Sequence, residues 1–191
     1  MKSVLIMIDM QRGFIDPASP IAIPAAGATI PACAQAIRFC HEHDIPVVYA
    51  VRHYRADGSD VEKTRHQLWL EGGRPLSEVC DETMSDAFPE EFEVLDRDRI
   101  IVKPRFSAFF ATHLDLVLRR LGVQTVVLAG TTTPNCIRTT CYDALSLDYD
   151  AVVLSDCTSS VSEAVQESNL ADMQRIGAKI MTSKDWISIA E

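Results

Sequence analysis

The chain has 191 residues, of which 47% are hydrophobic and 24% are charged. This composition is typical of a globular protein with a sizeable core and excludes a disordered or fibrous chain. Its 27 acidic and 18 basic residues give a formal net charge of −9, so we expect no binding to nucleic acid or to anionic membrane surfaces. The first apolar run ends in Asp9 without a cleavage site and is far shorter than a membrane span, so we expect a cytoplasmic protein.

Short β-branched runs alternate with segments of helical periodicity along the whole chain. This pattern predicts an α/β fold, a doubly wound parallel sheet with helices on both faces. The six predicted strands cover residues 3–9, 46–52, 99–103, 125–129, 151–155 and 178–181. Helical patterns cover residues 32–43, 114–121, about 136–147 and 162–176. Because no repeat or low-complexity linker divides the chain, we expect a single domain over residues 1–191.

One long segment, residues 54–98, separates the second and third predicted strands; we call it the excursion. It contains two glycine-rich turns and an acidic stretch around Glu90 and Glu93. It leaves the carboxyl end of a strand, which is where ligands bind in open α/β sheets. We therefore expect it to form a lid or a specificity wall over the site.

Three polar residues follow predicted strands and therefore point to one ligand-binding edge of the sheet. Asp9 and Lys103 each end a strand, and Cys136 lies a few residues after another. A thiol at a helix start next to an ammonium has a lowered pKa, and a carboxylate can accept its proton. The three groups are sufficient for acyl transfer through a thioester.

The segment that leads to Cys136 predicts a site for a developing oxyanion. It reads Gly130-Thr131-Thr132-Thr133-Pro134-Asn135-Cys136, with the proline suited to a helix start. The backbone N–H groups of Thr132 and Cys136 can then face the negative charge. The spacing alone also permits a structural interpretation, in which Asp9 caps a helix and Cys136 is a core residue.

Six cysteines are scattered along the chain without a CxxC pair. A chain of this length has little need of disulfides, so we expect most of them to be small buried hydrophobic residues. They are Cys33, Cys40, Cys80, Cys136, Cys141 and Cys157.

Four motifs together resemble the isochorismatase-like cysteine hydrolase family across essentially the whole chain. They read DMQRGF at residues 9–14, KPRFSAF at 103–109, GTTTPNC at 130–136 and VLSDCT at 153–158. The resemblance implies a catalytic triad of Asp9, Lys103 and Cys136. It also implies a cis peptide before Thr132, whose N–H joins that of Cys136 in the oxyanion hole. The strand order 3-2-1-4-5-6 and a homodimer or homotetramer are further implications of the resemblance.

The subgroups of this family differ in metal content. Nicotinamidases hold a metal through an Asp-x-His pair and a second histidine, whereas the matching stretch here reads Val51-Arg52-His53. Without the aspartate, His53 and His66 make a poor metal pair. We therefore expect no metal and no cofactor.

Substrate contacts are expected from five residues, each with a structural alternative. Arg105 either contacts a carboxylate or carbonyl of the substrate or is a surface arginine. Phe14, Phe106 and Trp69 form either apolar walls of the pocket or ordinary core. Asn135 either orients a substrate carbonyl or caps the helix.

The expected activity is hydrolysis of a C–N amide bond in a small molecule through a thioester. Isochorismatases, which cleave a vinyl ether, do not need the thiol, and the presence of Cys136 therefore favours amide chemistry. Two alternatives stay open. One is hydrolysis of isochorismate by acid catalysis from Asp9, and the other is a non-catalytic oligomeric scaffold.

Overall fold

A computed structural model describes residues 2–190 of the protein. All six predicted strands are present and pair in parallel, in the order β3-β2-β1-β4-β5-β6. The strands are β1 (Ser3–Ile8), β2 (Val47–Val51), β3 (Arg99–Val102), β4 (Thr125–Thr131), β5 (Asp150–Ser159) and β6 (Lys179–Met181). The predicted fold class and the strand order 3-2-1-4-5-6 are thus confirmed.

Between residues 2 and 190, seven α-helices connect or flank the strands. They are α1 (Arg12–Ile15), α2 (Ala26–Glu42), α3 (His66–Glu71), α4 (Leu114–Leu121), α5 (Arg138–Ser146), α6 (Glu163–Arg175) and α7 (Ser183–Ala190). A 3-10 turn covers Glu82–Met84, and a π-helical turn covers Thr133–Ile137. Helix α2 begins at Ala26, earlier than its apolar pattern predicted, and Pro31 lies inside it.

Alternating side chains of the central strand face two separate layers of helices. Val4, Ile6 and Ile8 of β1 pack in the core beneath α4, α5 and α6. Leu5 and Met7 pack in the opposite core beneath α2 and α7. Because β1 is covered on both faces, every residue between Val4 and Ile8 is apolar and buried.

The excursion has a small hydrophobic core of its own. Tyr54, Val61, Trp69 and Leu76 are buried together, and Phe14 packs against them from the side of β1. The indole Nε1 of Trp69 donates to the Pro75 carbonyl (2.8 Å), which satisfies its polar atom inside this cluster. The excursion therefore forms a packed wall beside the sheet.

The six cysteines are free thiols in the described part of the chain, and only Cys80 among them is not buried. Between residues 2 and 190, no helix combines the length and the apolar run that a membrane span requires.

Gly130 allows β1 and β4 to approach closely at the edge of the sheet where Asp9 lies. Its φ is +117°, a backbone conformation that side chains strongly disfavour. A Cβ placed on it would lie 2.0 Å from the Ile8 carbonyl oxygen. A side chain at residue 130 would therefore meet both backbone strain and a steric clash with β1.

We expect Gly130→Ala to lower the free energy of unfolding by about 3 kcal/mol or more, because the strand must move to make room for the methyl group. Gly177→Ala is the matched control, since Gly177 has a φ of +113° but no atom within 4 Å of the place where the added methyl group would lie. It should lose only about 1 kcal/mol from the backbone conformation. Guanidinium denaturation of both variants measures the difference, and equal losses would contradict the steric argument.

Candidate active site

Four neighbouring strands each deliver one functional side chain to the same edge of the sheet. Lys103 follows β3, Arg52 follows β2, Asp9 follows β1, and Cys136 lies in the π-helical turn after β4. The Asp9 N–H donates to the Ala50 carbonyl (2.9 Å), which continues the ladder by one residue beyond the strand. The parallel register therefore determines which side chains meet.

The three residues predicted to be catalytic lie together and are buried. Lys103 Nζ is 2.8 Å from Asp9 Oδ2 and 3.6 Å from Cys136 Sγ. It also donates to the backbone carbonyl of Arg105 (3.2 Å). Asp9 and Lys103 are each 1% exposed and Cys136 is 5% exposed, so solvent screens these charges little.

Arg52 is a charged residue of the site that was not among the predicted site residues; in the sequence it is only the middle residue of the Val51-Arg52-His53 stretch. Its Nε lies 3.8 Å from Asp9 Oδ2. Its Nη1 donates to the Tyr54 hydroxyl (2.5 Å) and to Glu62, and that hydroxyl donates to Glu62 Oε2 (2.8 Å). The signal in the sequence was a basic residue that ends a strand, like Asp9 and Lys103.

Gln11 fixes the backbone of Arg52. Its Nε2 donates to the Arg52 carbonyl (2.7 Å), and its Oε1 accepts from the Arg52 N–H (2.8 Å). The Gln11 side chain is fully buried. The Gln11 amide thus satisfies the backbone N–H and carbonyl of Arg52 as a neighbouring strand would do. It also links the motif of residues 9–14 to the end of β2.

Burial raises the pKa of the Cys136 thiol above its ordinary value, and the negative charge of Asp9 raises it further. Lys103 and Arg52 act in the opposite direction without overcoming these two effects. The expected lowering of this thiol pKa was therefore wrong, because the thiol lies inside the protein next to a carboxylate. Asp9 Oδ1 is buried and has no hydrogen-bond partner among residues 2–190, which leaves it open to accept a proton.

Glu62 and Arg52 form a buried ion pair that the surroundings strengthen. Burial acts to raise the pKa of Glu62, but the charge of Arg52 and hydrogen bonds outweigh it, so this pKa lies below its ordinary value. Burial acts to lower the pKa of Arg52, but Asp9 and the other neighbouring groups outweigh it and keep the guanidinium charged. Glu62 of the excursion therefore supplies the negative charge that pairs with Arg52 at the edge of the sheet.

The loop between β4 and Cys136 is held by the end of β5. The peptide bond between Thr131 and Thr132 is cis. The Ser159 hydroxyl donates to the Thr131 hydroxyl (2.9 Å), and the Thr133 hydroxyl donates to the Ser159 carbonyl (2.9 Å). The sequence pattern indicated a helix start at Cys136, whereas this residue lies in a π-helical turn that precedes α5.

A cavity of about 400 Å³ opens at this edge of the sheet. Thr132 and Cys136, the predicted oxyanion-hole residues, both line it. So do three of the five predicted substrate contacts, Phe14, Trp69 and Asn135. The remaining wall is mostly apolar, and half of its residues come from the excursion.

The other two predicted substrate contacts do not line the cavity. The guanidinium of Arg105 turns away from it and donates to the carbonyls of Asp60 (3.0 Å) and Pro104 (2.5 Å). The ring of Phe106 packs against two arginine side chains instead of facing the cavity. Substrate contacts of these two side chains stay predictions, and the main-chain carbonyl of Arg105 accepts a hydrogen bond from Lys103.

The two histidines considered as metal ligands have other contacts. His53 Nδ1 lies 2.7 Å from Asp86 Oδ2 at the surface, and the His66 ring stacks on Trp69 with 6.2 Å between centroids. In the part of the chain that the structure describes, no three His, Cys, Asp or Glu side chains are grouped to hold a metal ion. Val51 stands where the nicotinamidase pair has its aspartate, and the two histidines are engaged elsewhere, so the donor set does not fit a metal.

A family model described as the isochorismatase domain matches residues 3–185. The chain belongs to the isochorismatase family. The crystal structure of an isochorismatase family protein from Desulfovibrio vulgaris superimposes with a TM-score of 0.92 and 38% sequence identity, covering 99% of this chain and 98% of that one. We therefore place this protein among the isochorismatase-like hydrolases.

Two curated relatives in the isochorismatase family differ in activity. A probable inactive nicotinamidase of Arabidopsis thaliana is 33% identical, covering 96% of this chain and 94% of its own. The maleamate amidohydrolase of Pseudomonas putida is 30% identical, covering 96% of this chain and 84% of its own. Relatives of similar identity thus include a protein named as an amidohydrolase and one named as a probable inactive nicotinamidase, so the activity of this chain has to be argued from its site residues.

We expect Asp9→Asn to make Cys136 more reactive towards iodoacetamide near neutral pH. The substitution removes the charge that raises the thiol pKa and leaves Lys103 and Arg52 in place, so the thiolate fraction rises. The rate of alkylation at pH 7.5, followed by mass spectrometry of the peptide that contains Cys136, should increase about threefold to tenfold.

The control for this measurement is Asp148→Asn, which removes the same charge from an exposed position with a φ of +62° that asparagine tolerates. It should leave alkylation of Cys136 unchanged, and the partly exposed Cys80 provides an internal reference in every sample. A rate for the folded Asp9→Asn protein that equals or falls below the wild-type rate would contradict the electrostatic explanation.

Proposed function

We propose that this protein hydrolyses a C–N amide bond of a small molecule through a thioester on Cys136, with Asp9 and Lys103 completing a catalytic triad. The observation that carries the proposal is the placement of a thiol, an ammonium and a carboxylate in contact at one cavity, with 3.6 Å between Cys136 Sγ and Lys103 Nζ and 2.8 Å between Lys103 Nζ and Asp9 Oδ2. A nucleophile, a base and a positive charge are what acyl transfer requires.

In the first half of the reaction, Asp9 accepts the proton of the Cys136 thiol while the sulfur attacks the amide carbonyl. A tetrahedral intermediate forms, and its oxyanion accepts hydrogen bonds from the N–H groups of Thr132 and Cys136. The C–N bond then breaks, and Asp9 returns the proton to the departing nitrogen. Ammonia or an amine leaves, and the acyl group stays on sulfur as a thioester.

In the second half, a water molecule replaces the amine and gives a proton to Asp9 while its oxygen attacks the thioester carbonyl. The same two N–H groups stabilise the second oxyanion. The C–S bond breaks, the sulfur recovers the proton from Asp9, and a carboxylic acid leaves. Lys103 and Arg52 balance the negative charge that moves between Asp9 and the sulfur during both steps.

The relatives support amide chemistry over vinyl-ether cleavage. The maleamate amidohydrolase acts on an amide, as its name states. Cleavage of isochorismate by acid catalysis from Asp9 gives no role to the thiol, whereas Cys136 here lines the cavity and contacts Lys103. The non-catalytic scaffold draws its support from the inactive relative, but a scaffold has no need for buried opposite charges around a thiol.

We also propose that the protein assembles as a homodimer or homotetramer. The edge strand β3 has one side unpaired in the isolated chain, and its Ile100 and Val102 side chains are 54% and 53% exposed. Apolar side chains on an edge strand favour association with another chain.

We expect Cys136→Ala to lose at least about a thousandfold in activity while its fold stays intact, because the nucleophile is removed and a small buried side chain is kept. The measurement is ammonia release from nicotinamide, N-carbamoyl amino acids, biuret and aliphatic amides. Cys141→Ala is the matched control, since that thiol is also fully buried but does not line the cavity.

Two results of this panel would overturn the thioester route. The first is substantial amide hydrolysis by Cys136→Ala. The second is cleavage of isochorismate that Cys136→Ala retains and Asp9→Asn loses, which would assign the vinyl-ether reaction.

A further inference from the structure

Arg65 is a cation at the cavity that lacks a counter-charge. It is half-buried, lies at the start of α3 in the excursion and lines the cavity. The other two cations of the site have acidic partners, since Lys103 pairs with Asp9 and Arg52 pairs with Glu62. Among the described residues Arg65 has no carboxylate within ion-pair distance, so its charge is left for something that enters the cavity.

The ring of Phe106 positions this guanidinium. The Arg65 Cζ lies 4.8 Å from the ring centroid, and the Arg52 Cζ lies 5.3 Å from the same centroid. A planar guanidinium that packs on an aromatic ring keeps its N–H groups free at the edge of the plane. One ring therefore holds two guanidiniums beside the cavity and leaves donors of Arg65 available.

Arg52, which also lines the cavity, adds a second open donor. Its Nη2 is buried and has no hydrogen-bond partner in residues 2–190, although the Nη1 of the same group has two. A buried donor without a partner costs free energy unless a ligand or water accepts from it. The residues that line the cavity thus include two guanidiniums with open donors, Arg52 and Arg65, besides Cys136.

The rest of the cavity wall restricts which ligand groups can accept hydrogen bonds from Arg52 and Arg65. Asp9 is the only acid among the lining residues, and it is already paired with Lys103. The apolar lining residues include Phe14, Ile21, Val61, Leu68, Trp69 and Leu76. A cation that faces an apolar wall is best compensated by a carboxylate, whose two oxygens match the guanidinium fork.

We propose that Arg65 binds a carboxylate of the substrate, so that the cavity takes a small amide whose end opposite the scissile carbonyl is a carboxylate. This substrate class rests on the amide hydrolysis proposed above. The amide carbonyl lies at Cys136, the apolar middle of the molecule contacts the wall of the excursion, and the carboxylate pairs with Arg65. Neutral amides of the same length lack the group that compensates this charge.

The test compares matched pairs of ligands that differ only in charge. Malonamate, succinamate and glutaramate are each paired with the neutral amide in which a methyl ketone replaces the carboxylate, such as 4-oxopentanamide for succinamate. Binding is measured by calorimetry on Cys136→Ala protein, with and without Arg65→Gln. Ammonia release is measured on the protein with Cys136 intact, again with and without Arg65→Gln.

The proposal expects at least one amide acid to bind more tightly than its neutral partner and Arg65→Gln to weaken it about tenfold or more. The neutral amides should change less than about twofold. Where ammonia is released, KM should rise while kcat stays within about twofold, because the carboxylate is bound equally before and during the reaction. Arg65→Lys should retain part of the binding, since it keeps the charge without the planar fork.

Lys63→Gln is the control, because it removes the same charge from an exposed residue of the excursion that does not line the cavity. Charge-selective binding that depends on Arg65, without ammonia release, would support the carboxylate site and count against the hydrolysis. Ammonia release from neutral and charged amides alike, unaffected by Arg65→Gln, would support the hydrolysis and overturn the carboxylate site. Failure of every amide acid to bind would also overturn it.

Discussion

The pairing of two buried acids with two buried bases is the constraint on which this structure depends. Asp9, Arg52, Glu62 and Lys103 are each no more than 5% exposed. Charges removed from water are tolerated only when opposite charges lie beside them in good geometry. Strands β1, β2 and β3 run in parallel and end at the same edge of the sheet, which brings Asp9, Arg52 and Lys103 within ion-pair distance.

This charged cluster makes the excursion part of the site. Glu62 and Tyr54 come from the excursion, and both bond to Arg52, which lies beside Asp9. The excursion is held in place by its own apolar core around Trp69. The position of the cavity wall and the charge balance around the thiol therefore depend on the same contacts, so that substrate selection and chemistry are physically connected through Arg52.

Features that depend on the local sequence pattern, such as the strands and the residues at their ends, could be predicted from the sequence. Features that depend on residues distant in the chain could not. The strands are continuous apolar runs because both faces of the sheet are covered, and Asp9, Lys103 and Cys136 could be placed at strand ends for that reason. The direction of the Arg105 side chain could not be predicted, because it is decided by the carbonyl of Asp60 in the excursion. The prediction of a lowered Cys136 thiol pKa was wrong for a similar reason. The spacing of residues along the chain does not show that the thiol is buried or that Asp9 lies close to it.

The raised thiol pKa agrees with a reaction in which the proton never leaves the site. The negative charges of Asp9 and Glu62 balance the positive charges of Lys103 and Arg52. The cluster is therefore neutral while Cys136 holds its proton. Loss of that proton to solvent would leave a buried net negative charge, which the low exposure of the cluster disfavours. Transfer of the proton to Asp9, as in the proposed amide hydrolysis, creates no net charge. In that proposed reaction, the burial that raises the thiol pKa couples formation of the thiolate to protonation of the leaving group by Asp9.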